Sequence, residues 1–159
     1  RARSGTGPCL RWAGGELHRY GPALHAFAPL QELPAGAALG GREPLELPGL
    51  GRLRLVSVSG EGLCAARVPL PLAVRSRSGG ERLVVAGTDG RRALKDLLRE
   101  ARVPPWARER TVVLWSAGRV VAAVLPGHAW LGADLVASAG EPGWRVEWCD
   151  APEALRPVH

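Results

Sequence analysis

The sequence predicts an α+β domain that is mostly β, a sandwich-like mixed sheet with one main basic helix. Three observations carry this. Short stretches of alternating apolar residues recur along the 159 residues, about seven of them, separated by turns rich in Gly, Ser and Pro. Only the segment between Gly90 and Val103 has helical periodicity. The chain is 46% hydrophobic, enough to build one buried core at this length.

Residues 1–34, rich in Gly, Pro and Ala, read as a lead-in segment in which 9–12 and 16–20 are short strands joined at Gly14-Gly15. The main domain is expected over 35–150, opening with a loop at 35–41. Residues 53–58 alternate, with Leu53 and Leu55 on one side, and 63–68 follow the turn Ser59-Gly60-Glu61-Gly62, which suggests a hairpin. Residues 72–77 place Arg75 and Arg77 on one face and Val74 on the other, and 83–86 form a short β-branched run. Gly87-Thr88-Asp89-Gly90 is a turn in which Thr88 or Asp89 is placed to cap the helix that follows. Strands are expected at 111–115 and 119–125, around Ser116-Ala117-Gly118, and then a Gly-rich loop over 127–143. The last strand, 144–148, sets Trp144, Val146 and Trp148 on one face and Arg145 and Glu147 on the other; 151–159 is a tail.

The helix carries two faces. At about 100° per residue, Arg91, Arg92, Lys95, Arg99 and Arg102 fall within about 100° of arc, and Leu94, Leu97, Leu98 and Ala101 within another. Pro104 disfavours helical geometry at Val103 and stops the helix. Between Arg75 and Arg110 there are nine Arg and one Lys against five acids, so +5 of the chain's +6 lies in 36 residues. A compositional preference for Arg would be spread evenly; this charge is local, and a local basic field attracts phosphate. A solvated helix face without a partner is the bland alternative.

Other chemistries find little support. Ser78-Gly79-Gly80 opens like a pyrophosphate loop but continues with Glu81-Arg82 in place of the required Asp and Ser, so it reads as a turn. Gly87–Gly90 matches GxxG only formally, and a turn with a helix cap is the simpler reading. The three cysteines, Cys9, Cys64 and Cys149, show no CxxC and no metal-ligand spacing to any histidine, so reduced thiols and no metal are expected. No nucleophile motif and no acid–base pair stands out, and His128 and Asp134 read as loop residues. No run of 18 apolar residues and no signal peptide is present, so no membrane association is expected. The first residue is Arg, which suggests a piece of a longer protein. Pro104-Pro105 hold Trp106 rigidly after the helix, either packed beneath it or as a platform for a base.

The order Leu72-Ala73-Val74-Arg75, Gly79-Gly80-Glu81-Arg82, then Gly90-Arg91-Arg92-x-Leu94-Lys95-x-Leu97-Leu98-x-Glu100-Ala101-x-Val103-Pro104-Pro105-Trp106-x-Arg108-x-Arg110 resembles the C-terminal domain of bacterial tRNA(Ile)-lysidine synthetase. Gly118-Arg119-Val120-Val121-Ala122 is similar to its hairpin, and Gly143-Trp144-Arg145-Val146-Glu147-Trp148 to its last strand. The likeness covers residues 70–148, and more weakly Arg11-Trp12 and Leu17-x-Arg19-Tyr20. It implies a cytoplasmic ATP-dependent ligase that joins lysine to the wobble cytidine of the CAU-anticodon isoleucine tRNA. ATP and lysine are then substrates of the full enzyme, with no cofactor in this chain. It also implies a fold shared with a domain of the phenylalanyl-tRNA synthetase β chain. The family's SGGxDS catalytic domain is absent from these residues, so no catalytic residue carries over. The run Val121-Ala122-Ala123-Val124-Leu125-Pro126-Gly127 is looser than the family pattern.

Charge and resemblance together point to tRNA binding through Arg75, Arg77, Arg82, Arg91, Arg92, Lys95, Arg99, Arg102, Trp106, Arg108 and Arg110. The expected partners are tRNA and the enzyme's own N-terminal catalytic domain, with a homodimer as a further option. The alternative is a protein-interaction or dimerisation module that docks on a separate catalytic domain.

Overall fold

Strands dominate the computed structural model, which describes residues 8–86 and 90–157, and every strand pairing among them is antiparallel. In chain order they are β1 (Cys9–Trp12), β2 (Gly15–Tyr20), β3 (Ala23–Phe27), β4 (Ala37–Leu39), β5 (Leu45–Leu47), β6 (Gly51–Ser59) and β7 (Leu63–Cys64). There follow β8 (Leu72–Ser76), β9 (Arg82–Leu83), β10 (Arg92–Ala93), α1 (Leu94–Glu100) and α2 (Pro105–Arg108). The chain closes with β11 (Val112–Ser116), β12 (Arg119–Leu125), β13 (His128–Leu131) and β14 (Pro142–Cys149). The mostly β class is as expected, but β3, β5 and β13 form where the sequence pattern indicates no strand, and β4 lies inside the segment that suggests a loop.

The lead-in residues form their own sheet, β1-β2-β3. A five-stranded sheet runs β13-β12-β11-β8-β4, and a four-stranded one β5-β6-β14-β7. Val112, Val113 and Leu114 on β11 are all fully buried, so both faces of the five-stranded sheet are covered at its centre. Val121 to Leu125 on β12 are buried as well, which accounts for the unbroken apolar run there, with Ala122 and Ala123 as its small members.

The expected hairpin between 53–58 and 63–68 does not form. β14 pairs with β6 along its whole length, from Pro142 opposite Ser59 to Cys149 opposite Arg52, and β7 joins the other side of β14. Two glycines permit this crossing: a Cβ at Gly62 would lie 2.3 Å from the Trp144 carbonyl oxygen, and one at Gly143 2.0 Å from that of Glu61.

The helix is shorter than its periodicity suggests, seven residues rather than a run from Arg91 to Arg102. Arg92 and Ala93 are extended and pair with Leu83 and Arg82, so this ladder claims the residues that would have made the first turn. The Glu81 carbonyl accepts the Leu94 N–H at 2.9 Å, and no side chain caps the helix; Thr88 and Asp89 lie outside the described residues. At the other end the Val103 N–H bonds to Leu98 O and the Arg102 N–H to Arg99 O, both 3.0 Å, with Arg102 at φ 56. That is a Schellman stop with arginine in the left-handed position glycine usually fills. Leu94, Leu97 and Leu98 are buried, as the apolar face requires.

Candidate nucleic-acid interface

The shortened helix divides the expected basic face. Lys95 and Arg99 share a helix face one turn apart, and both are exposed. Arg92 is carried instead by the β9–β10 ladder, and Arg91 lies just before it, where Arg82 Nη2 donates to Arg91 O at 3.2 Å. Arg92 is spent on an ion pair with Glu100, and Arg99 stands 3.8 Å from Asp96. Arg75, Arg82, Arg91, Lys95 and Arg102 are exposed and have no acid within 4.0 Å among the described residues. The Arg75 guanidinium lies over the Trp115 ring, 4.9 Å from its centroid, a cation–π contact that leaves its charge uncompensated.

The remaining expected contacts are more enclosed: Trp106 and Arg110 are buried, and Arg77 and Arg108 are half-buried and bonded within the chain. Trp106 is 5% exposed. Its ring meets His18, His25, Phe27 and Tyr20 at centroid distances of 4.9 to 5.9 Å, and its Nε1–H donates to Ala154 O at 2.8 Å. It is the packed tryptophan, not a platform, because a stacking base needs an open ring face. Arg110 is buried and donates to Gln31 O at 2.6 Å and Leu30 O at 3.0 Å, tying the lead-in segment to the body. Arg108 donates to Val103 O at 2.6 Å. Arg77 is half-buried with its Nε unpartnered; burial pushes its guanidinium below the ordinary value, and the neighbouring Arg108 charge adds to that.

The Ser78-Gly79-Gly80-Glu81 loop shows why it offers no phosphate cradle. Ser78 N–H and Oγ–H donate to Glu81 Oε2 at 2.7 and 2.6 Å, and Gly79 N–H to Oε1 at 3.1 Å. The loop's donors are filled by its own carboxylate. Burial pushes the Glu81 carboxyl up, but the Ser78 and Gly79 bonds outweigh it and hold it below the usual carboxylate range.

One group was invisible to linear spacing. Cys9 Sγ lies 3.4 Å from His18 Nε2, which lies 3.0 Å from Glu16 Oε1. The pairing of β1 with β2 brings these residues together, a proximity that linear spacing between cysteines and histidines does not show. A cleft of about 130 Å³ beside the helix stop has Arg102, His128 and Arg156 on its lining, but its volume is well under that of a typical small-molecule site.

The family described as the TilS substrate C-terminal domain matches residues 72–148. The tRNA(Ile)-lysidine synthase of Xanthomonas axonopodis pv. citri is 37% identical over 153 residues, 92% of this chain and 32% of that protein. Those of Methylococcus capsulatus and Alkalilimnicola ehrlichii are 33% and 36% identical, over 89% and 81% of this chain. The chain spans about a third of the length of these relatives. A crystal structure of a TilS C-terminal domain is 24% identical and covers 73% of this chain and 99% of its own, with a TM-score of 0.48. The motif that runs from Leu72 to Trp148, together with these relatives, places the chain in the tRNA(Ile)-lysidine synthase family, as a bearer of its TilS C-terminal domain.

Proposed function

We propose that this chain is the non-catalytic, tRNA-holding portion of a cytoplasmic tRNA(Ile)-lysidine synthase. The observation that carries the reading is the set of exposed cations with no acidic partner among the described residues around the β9–β10 ladder and α1: Arg82, Arg91 and Lys95, with Arg102 at the helix stop. Guanidinium and ammonium groups held on short, rigid elements suit phosphate and ribose oxygens of a folded RNA more than base edges. Lysine is joined to the wobble cytidine, with ATP consumed, in a catalytic domain outside these residues. This portion contributes affinity and orientation of the tRNA body.

The test is binding of the CAU-anticodon isoleucine tRNA over a salt series. Wild type should lose affinity steeply with salt. Arg82→Ala, Arg91→Ala and Lys95→Ala together should lower the magnitude of the log–log slope by about two units, at somewhat under one per phosphate contact. An unchanged slope in the triple variant would sink the reading.

A second reading, a docking or dimerisation module, is favoured by the outer face of the β1–β3 sheet. Leu10, Trp12 and Leu24 are 63%, 52% and 68% exposed there, an apolar surface of the kind that partners cover. It predicts little salt dependence toward tRNA and a concentration-dependent sedimentation coefficient.

A further inference from the structure

The β1–β2 hairpin turns through Ala13 and Gly14 and sets Cys9 opposite His18 and Arg11 opposite Glu16. Glu16 and His18 are two apart and so share a face, with Cys9 reaching the same point from the neighbouring strand. The three donor atoms, a thiol sulfur, an imidazole nitrogen and a carboxylate oxygen, lie within 4.8 Å of one another. Tetrahedral zinc takes sulfur at about 2.3 Å and nitrogen or oxygen at about 2.0–2.2 Å, which implies donor–donor spacings of roughly 3.3–3.6 Å. The observed 3.4 Å from Cys9 Sγ to His18 Nε2 and 3.0 Å from His18 Nε2 to Glu16 Oε1 need only a few tenths of an ångström of movement.

We propose that Cys9, Glu16 and His18 form a binding site for a thiophilic divalent cation, zinc by ligand type, closed across the β1–β2 hairpin. A thiolate and an imidazole select zinc over magnesium or calcium, which prefer sets made of oxygens. The site is preorganised. The His18 ring is stacked on Phe27, with centroids 5.1 Å apart and planes 5° from parallel, and is flanked by Trp106 at 4.9 Å. Arg11 Nε donates to Glu16 Oε1 at 3.2 Å, the type of outer hydrogen bond that orients a ligating carboxylate. Glu16 and His18 are buried while Cys9 is exposed, so the cation enters from the Cys9 side and keeps a water as its fourth ligand there. Binding releases the Cys9 thiol proton to solvent and uses the lone pair of His18 Nε2, whose proton then sits on Nδ1. Thiolate and carboxylate together neutralise the ion. The site staples a three-stranded sheet whose own apolar burial is small, and it does so independently of any RNA contact.

The test uses the 159-residue chain, stripped with chelator and dialysed. Zinc titrated by calorimetry should bind with one equivalent per chain and raise the thermal midpoint. Cobalt should give the near-ultraviolet charge-transfer band of a thiolate ligand. Cys9→Ser, at an exposed position that does not threaten the fold, should abolish the band and weaken zinc at least about tenfold, and Glu16→Gln should also weaken it. Cys149→Ser should change neither. Absence of saturable zinc binding below millimolar, or wild-type affinity in either Cys9→Ser or Glu16→Gln, would overturn the assignment.

Discussion

Arg91 to Arg102 and Arg108 to Arg110 are neighbouring basic stretches that look alike as sequence, yet the fold uses them oppositely. In the first, Arg91 and Lys95 face solvent with no acid beside them among the described residues, and only Arg92 and Arg99 meet one. In the second, Arg110 is buried among the carbonyls of Gln31 and Leu30, and Arg108 folds back on Val103 O. Trp106 sits between them and marks where the chain passes from surface to interior. Charge density in a sequence therefore locates a candidate interface, but whether each cation meets solvent depends on what carbonyls surround it. Arginine suits both uses, because its fork satisfies several backbone oxygens as readily as a phosphate.

Three measurements sharpen or break this contrast. The largest effect is expected at the boundary itself. Trp106→Ala should cost about 3–5 kcal/mol in denaturant unfolding, since it empties the space between His18, Phe27 and Tyr20 and orphans Ala154 O. A stable Trp106→Ala variant with weakened tRNA binding would reverse the assignment of this residue to the interior.

Next is Arg110→Ala, which removes charged hydrogen bonds to Leu30 and Gln31 and should cost roughly 1.5–3 kcal/mol, whereas Arg91→Ala should stay within about 0.5 kcal/mol. Equal melting temperatures for these two variants would erase the distinction between the stretches.

The smallest effect concerns acid. Glu81 has a folded pKa below its unfolded one, so its contribution to stability is present above the ordinary carboxylate range and is lost as pH falls through the folded value. Glu81→Gln should therefore be less stable than wild type at pH 7, by about 1 kcal/mol, and the gap should close in acid. A gap that persists unchanged at low pH would mean that the loop donors do not depend on the charged carboxylate.

Local signals that needed no partner were legible. The β1–β2 hairpin follows from Gly14-Gly15 between two alternating runs, and it forms with Trp12 opposite Gly15. The apolar spacing of Leu94, Leu97 and Leu98 identified the buried helix face. The run of motif residues through Val103-Pro104-Pro105-Trp106 pointed to the family that the relatives share. Features that depend on distant pairing were not. Ala37–Leu39 has no alternation to announce it and becomes a strand because β8 offers it an edge. Arg92 has ordinary helical propensity but is drawn into a ladder with Leu83. Leu63–Cys64 pairs with β14 rather than with β6, because β14, nearly eighty residues on, occupies the place beside β6.

The sequence by itself determined the mostly β character, the apolar side of the helix, its stop before Pro104 and the concentration of positive charge between Arg75 and Arg110. These are properties of spacing and composition, set by backbone sterics and local periodicity. Only the tertiary structure decided which cations meet an acid among the described residues, that Trp106 is interior, that Glu81 fills its own loop, and that Cys9, Glu16 and His18 converge. Each of those depends on strand register and on which distant group arrives to desolvate or bond a side chain. A one-residue change in register would turn Cys9 to the opposite face from His18 without altering any local preference of either strand.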